Sequence, residues 1–118
     1  MLPNGARRSP DAAWVSKERL SRLSRDVVER YWHFSPEFVV EVRSATDRLP
    51  VLRAKMREWV ANGAELAWLI DPERRVVEIY RPGEEPEIVT EAVSVTAGSP
   101  VEGFTLDLRR VWDPFATV

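Results

Sequence analysis

The apolar positions along the chain change their spacing several times, and the changes mark out the secondary structure. Glu37-Phe38-Val39-Val40-Glu41-Val42-Arg43 holds three valines and a phenylalanine in seven positions, the composition of a strand buried on both faces and expected to be the central one. Ser44 to Asp47 then offer capping side chains, and Arg48 to Asn62 reads as a helix. Pro50 falls in its tolerant first turn, and Gly63 is placed to stop it. Leu49, Leu52, Met56, Trp59 and Val60 fall at helical spacing and make one apolar stripe. Glu65 to Ile70 and Val76 to Tyr80, joined by Asp71-Pro72-Glu73-Arg74, predict a hairpin. A Pro/Gly/Glu loop from Arg81 to Pro86 precedes a strand over Glu87 to Thr90. Val101 to Phe104 leads into a terminal piece ending near Trp112.

The pattern is weaker toward the N-terminus. Leu2-Pro3-Asn4-Gly5 has turn chemistry, because proline fixes φ and Asn-Gly tolerates positive φ. Arg7 to Val15 reads as a short strand, with Ser16 as the N-cap of a helix that begins Lys17-Glu18-Arg19-Leu20. Residues 21 to 36 form a polar connection with a second helical segment around Asp26 to Tyr31. No repeat, low-complexity stretch or long linker divides the chain, so residues 1–118 are expected to form one domain.

Composition narrows the chemistry. With 44% hydrophobic residues and five tryptophans in 118 positions, the chain can bury one core. The absence of cysteine excludes disulfides, thiolate zinc sites and cysteine nucleophiles, and it fits a reducing, cytoplasmic setting. No apolar run approaches the ~18 residues needed to cross a bilayer, so no membrane partner is expected. The net charge of −2 argues weakly against nucleic acid. It conceals an asymmetry: residues 1 to 63 carry 12 Lys/Arg against 8 Asp/Glu, and residues 64 to 118 carry 5 against 11. A phosphate-facing front half and a chance scatter of surface charge both fit that split. The sole histidine, His33, disfavours a Ser-His-Asp triad or a histidine-metal site. Trp14, Trp59 and Trp68 lie on expected core elements, while Trp32 and Trp112 are placed to cover edges.

Three charged residues stand out against this background. Glu41 sits among Val39, Val40 and Val42, where an unpaired carboxylate would cost several kcal/mol to desolvate in order of magnitude. It is therefore expected to be paired or to hold a metal. Asp11 follows Ser9-Pro10 on the neighbouring expected strand, so both carboxylates can reach one cleft. Lys55 borders the apolar stripe of the helix and can lean toward Glu41. A plainer arrangement pairs Glu41 with Arg43 or Arg53 and leaves the Lys55 ammonium in water. Spacing alone favours that second arrangement.

Read as strings, the residues carry more. Leu2-Pro3-Asn4-Gly5, Ser9-Pro10-Asp11-Ala12-Ala13-Trp14-Val15, Pro36-Glu37-Phe38-Val39-Val40-Glu41-Val42-Arg43-Ser44, Lys55-Met56-Arg57-Glu58-Trp59, Asn62-Gly63, Trp68-Leu69-Ile70-Asp71-Pro72 and Val77-Glu78-Ile79-Tyr80-Arg81-Pro82-Gly83 stand in order along the chain. Together they resemble the Uma family of "putative restriction endonucleases", part of the PD-(D/E)xK nuclease superfamily. The resemblance implies an α/β, restriction-endonuclease-like core, with a central mixed sheet flanked by helices. It further implies that Asp11 and Glu41 bind a divalent metal, Mg²⁺ or Mn²⁺. In the superfamily's plain motif the lysine stands two residues after the glutamate, a place held here by Arg43, whereas the family supplies its lysine from the next helix, at Lys55. Arg43 and Arg53 are then possible phosphate contacts, Arg53 standing where similar sequences are expected to carry glutamine.

The resemblance also implies a helix and a strand before Leu2 that this sequence lacks, so the domain is expected to be shortened at its N-terminus. Two functional expectations follow. One is a metal-dependent endonuclease acting on DNA, with Asp11, Glu41 and Lys55 as its catalytic residues. The other is a non-catalytic remnant of that fold, acting as a homo-oligomer or protein-interaction module. Its expected route is pairing through the exposed sheet edge of Arg7 to Val15 or Val76 to Tyr80.

Overall fold

A computed structural model describes residues 11–16 and 36–113. The expected turn at Leu2 to Gly5, the helical segments at Lys17 to Leu20 and Asp26 to Tyr31, and both Trp32 and His33 lie outside the described residues.

Among the described residues, seven strands and two helices follow one another in the order β1 (Ala12–Trp14), β2 (Phe38–Val42), α1 (Leu49–Ala61), β3 (Leu66–Asp71), β4 (Val76–Tyr80), β5 (Glu87–Thr90), β6 (Ser94–Thr96), β7 (Thr105–Asp107) and α2 (Arg109–Trp112). The first five strands form a mixed sheet in sequence order. β2 and β3 are parallel and are joined by α1, whereas β1, β4 and β5 add on antiparallel. A parallel pair needs a crossover of a dozen or more residues, and α1 with its flanking turns supplies it. β6 and β7 form a separate two-stranded sheet.

The centre of the sheet is β3 rather than β2. All six β3 residues are buried, while Val42 at the end of β2 is 41% exposed. Leu66 to Ile70 is a continuous apolar run, the pattern of a strand covered on both faces. β4 is equally buried and lies between β3 and β5. The expectation that Val76 to Tyr80 offers an open edge is therefore corrected: among the described strands, the outer ones are β1 and β5.

Each face of the sheet has its own core. α1 packs Leu52, Met56 and Trp59 onto Val39, Ala67, Leu69 and Tyr80. The opposite face, Phe38, Leu66, Trp68, Ile70, Val77 and Ile79, is covered by Val95, Ala97 and Leu108 from the C-terminal segment. There the Phe38 and Trp68 rings meet edge to face at 4.9 Å, a favoured aromatic geometry. Trp59 and Trp68 are core residues as expected, each 1% exposed, but Trp14 is 40% exposed on the short strand β1.

The start of α1 also departs from expectation. Its N-cap is Arg48, with no side-chain cap. Ser44 and Asp47 instead close their own turn, the Asp47 carboxylate accepting from the Ser44 N–H at 2.8 Å and from its hydroxyl at 2.9 Å. Asx-type bonding of this kind competes with capping for the same side chain, and it holds the Asp47 carboxyl below its usual range. The helix stops at Gly63, whose φ of 118° is open only to glycine without strain.

Candidate active site on the helix face of the sheet

Strand alternation places Val39 and Glu41 of β2 on the face that α1 covers, and Phe38 and Val40 on the other. Glu41 is consequently 2% exposed. A carboxylate that deep needs compensation, and three donors provide it. Glu41 Oε1 accepts from the Asp11 backbone N–H at 3.0 Å. Oε2 accepts from the Trp59 indole Nε1–H at 3.3 Å and pairs with Lys55 Nζ at 2.6 Å. Lys55 and Trp59 are four residues apart on α1, so consecutive turns bring both donors to one oxygen.

Asp11, one residue before β1, reaches the same place. The antiparallel pairing of Ala12 with Val40, continued by one step, sets Asp11 opposite Glu41. The Asp11 carboxylate, exposed to solvent, accepts from the Val42 N–H at 2.6 Å. The two acidic residues thus interlock: each carboxylate takes a backbone N–H at or beside the other. β1 is further tied to β2 by the Glu37 N–H, which donates to the Trp14 carbonyl at 3.1 Å. The Ser16 N–H, in turn, donates to the Glu37 carboxylate at 2.7 Å.

Asp11, Glu41 and Lys55 therefore meet at one corner of the sheet. Neither Arg43 nor Arg53 pairs with Glu41. Arg43 bonds Asp71 at 2.9 Å and lies 3.7 Å from Glu73. Arg53 grips Glu78 with Nη2 at 2.7 Å and Nε at 3.1 Å. The plainer arrangement considered from spacing, with Lys55 free in water, is not the one adopted. Lys55 is 26% exposed and ion-paired.

A second charged group went unnoticed in the sequence. Glu78 on β4, 1% exposed, accepts from Arg53, from Arg74 at 2.7 Å and from the Tyr80 hydroxyl at 2.7 Å. Arg74 also bonds Asp71 at 2.7 Å. Burial pushes the Glu78 carboxyl up, but the bonds from Arg53, Tyr80 and Arg74 outweigh it and leave it below its usual range. Asp71 behaves alike: burial raises it, and Arg74 and Arg43 bring it below the ordinary value. Burial and the adjacent Glu78 charge push the Tyr80 hydroxyl up. The signal for this group was available, since Glu78 interrupts Val76, Val77 and Ile79 much as Glu41 interrupts its valines.

The donor set at the Glu41 corner is hard oxygen, which suits Mg²⁺ or Mn²⁺, and Mg²⁺ is commonly held by only one or two carboxylates with water completing its shell. Asp11 and Glu41 meet that requirement. Among the described residues no three His, Cys, Asp or Glu side chains converge as a ready metal cage. Each carboxylate oxygen can accept two bonds, so Oε1 of Glu41, with one donor, keeps room for a further ligand.

A parallel β2–α1–β3 unit with antiparallel strands on either side is a mixed α/β core. The crystal structure of "a putative nuclease belonging to DUF820" from Anabaena variabilis superposes on it with a TM-score of 0.59 at 24% identity. The match covers 67% of this chain and 45% of that one, so the chain spans less than half the length of its structural relative. The profile of the Uma2 family, described as "Putative restriction endonuclease", matches residues 1–109, and the chain belongs to that family. No curated protein matches the chain. No described helix is long and apolar enough to cross a membrane.

Proposed function

We propose that the protein is a metal-dependent endonuclease that hydrolyses phosphodiester bonds in DNA. The reading rests on one observation above all: the Glu41 carboxylate, buried to 2% exposure, accepts from the Asp11 backbone N–H, the Asp11 carboxylate accepts from the neighbouring Val42 N–H, and the Lys55 ammonium lies 2.6 Å from Glu41. Membership of the family supports the same reaction class. A core of this kind does not fix the substrate by itself.

Asp11 and Glu41 would hold the divalent ion, through the free capacity of Glu41 Oε1 and the solvent-exposed Asp11 carboxylate. When bound, that ion supplies Lewis acidity toward a phosphodiester oxygen. Lys55 Nζ stands 2.6 Å from the Glu41 carboxylate. Its ammonium, one-quarter exposed, can turn toward an arriving phosphate and stabilise charge developing on it, or orient the attacking water. α1 keeps this cation in place by burying Leu52, Met56 and Trp59 on the same face of the helix. Arg43 and Arg53 are held by Asp71 and Glu78, so any contact with phosphate would use their remaining guanidinium N–H groups.

Calorimetric titration of Mg²⁺ and Mn²⁺ into the wild type and Glu41→Ala, with a supercoiled-plasmid assay alongside, tests the proposal. Binding and metal-dependent nicking are expected in the wild type, and both should be lost in the variant. Equal heats from the two proteins, or no binding at millimolar metal, would remove the site from the account.

A further inference from the structure

Glu41 is held from three sides, by the Asp11 N–H, Lys55 and Trp59. The Trp59 indole lies in the core at 1% exposure, and its Nε1–H donates to Glu41 Oε2 at 3.3 Å. The donors are unevenly divided. Oε2 takes both helix donors, Lys55 and Trp59, while Oε1 takes only the Asp11 N–H. A carboxylate with one oxygen saturated from the helix cannot rotate about its terminal bond without breaking two contacts.

We infer that Trp59 is a positioning residue. Its indole N–H fixes the rotation of the Glu41 carboxylate, so that Oε1, on the side of Asp11, is the oxygen presented to a divalent cation. The inference rests on the metal-dependent reading above.

The alternative role for Trp59 is packing alone, since it also touches the apolar residues under α1. The chemistry separates the two. The long, mobile Lys55 side chain retains freedom at its ammonium, whereas an indole wedged in a core has one orientation and donates along a fixed line. Partners of a metal-binding carboxylate typically change metal affinity about 10- to 100-fold when removed.

The test uses Mn²⁺ as the probe and measures its affinity calorimetrically in the wild type, Trp59→Phe and Trp59→Tyr, with circular dichroism confirming that each folds. Phenylalanine keeps an aromatic ring and lacks the donor, so Mn²⁺ affinity should fall about tenfold or more. Tyrosine restores a donor and should recover most of that loss. A Trp59→Phe protein that binds Mn²⁺ as tightly as the wild type overturns the inference and leaves the metal site standing. Equal losses in both variants overturn it too, because volume rather than the N–H would then matter. Failure of the wild type to bind Mn²⁺ overturns both readings.

If the variants do not fold, the wild type carries the test through NMR of its ¹⁵N-labelled indoles under Mg²⁺ titration. The Trp59 N–H resonance is expected to shift with the binding isotherm while that of Trp68 stays fixed. An unmoved Trp59 resonance alongside measurable Mg²⁺ binding overturns the inference.

Discussion

Removing Lys55 exposes how the site is held together. The Glu41 side chain is 3% exposed, and its pair with Lys55 Nζ at 2.6 Å is the shortest contact it makes. In Lys55→Met the helix keeps an apolar stem of similar length, but the carboxylate retains only two neutral donors, the Asp11 and Trp59 N–H groups. Breaking a buried ion pair by deleting one partner costs about 3–5 kcal/mol. Lys55 is one-quarter exposed, so water can partly replace it, and the lower end, about 3 kcal/mol, is expected. Glu41→Met should behave differently. It frees Lys55 to reach solvent and leaves two N–H groups without an acceptor, the buried Trp59 indole and the part-buried Asp11 amide, a loss of about 1–2 kcal/mol.

The double substitution carries the decisive sign. With both charges gone, only the unpaired N–H groups remain, so K55M/E41M should cost about 1–2 kcal/mol and be more stable than K55M alone. Urea denaturation followed by tryptophan fluorescence reads this directly. With a slope of about 1.3 kcal/mol/M for a chain of this size, K55M should lower the midpoint by about 2 M, and adding E41M should return roughly half of that. If K55M lies within about 0.5 kcal/mol of the wild type, or the two substitutions are additive, the ion pair is not what compensates Glu41, and the account of the site fails.

Other expectations follow from the same contacts. Asp71 and Glu78 have folded-state values depressed below the ordinary 3.8 and 4.5, so their ion pairs stabilise the fold above those values and lose that contribution as pH falls through the depressed ones. The acid limb of the stability curve should be visibly shallower in Glu78→Gln, and an unchanged limb would contradict this. The exposed Asp107, bonded by Arg109, is expected to titrate at about 2 in a carbon-detected NMR titration; a value at or above 3.8 would refute the Arg109 contacts. Met56→Ala removes a side chain with no exposure and should destabilise by about 2–5 kcal/mol in chemical denaturation, with a cost below 1 kcal/mol showing that α1 is not packed as described. Pairing of two copies through the β5 edge, where Ile88 is 52% exposed, predicts a dimer mass by light scattering that Ile88→Lys converts to monomer; equal masses would exclude that edge.

Much of the frame was legible because it obeys short-range rules. The stripe of Leu52, Met56 and Trp59, the stop at Gly63 and the hairpin around Pro72 each depend on residues a few positions apart. What escaped depends on tertiary pairing. Val76 to Tyr80 looks the same whether it lies at an edge or inside, and only the addition of β5 buries it. β6 is too short, at three residues, for alternation to show. The partner of Glu41 could not be chosen from spacing, because Arg43, Arg53 and Lys55 all lie within reach along the chain. The choice follows from β3 and β4 supplying competing carboxylates, Asp71 for Arg43 and Glu78 for Arg53. Lys55 then remains for Glu41.

The two buried glutamates show why one corner of the helix face is a candidate site and the other is structural. The register aligns Glu41 with Leu69 and Leu69 with Glu78, so both carboxylates lie in one row across the sheet, about 10 Å apart at the strand spacing. Lys55 and Arg53, about 200° apart around α1, flank its apolar stripe and each reaches down to one of them. The arrangement is nearly symmetric, but the saturation is not. Glu78 receives two donors on Oε1 and three on Oε2, counting the shared Arg53 Nε–H. No lone pair is left for a ligand, and its strongest partners are guanidiniums that hold their charge at any relevant pH. Glu41 receives one and two, from a lysine, an indole and a backbone amide, and keeps capacity on the side of a second, solvent-exposed carboxylate. Arg53 and Glu78 thereby tie α1 to the sheet from one flank, and the pair on the other flank is left less saturated, which is why the proposed cation is assigned to it.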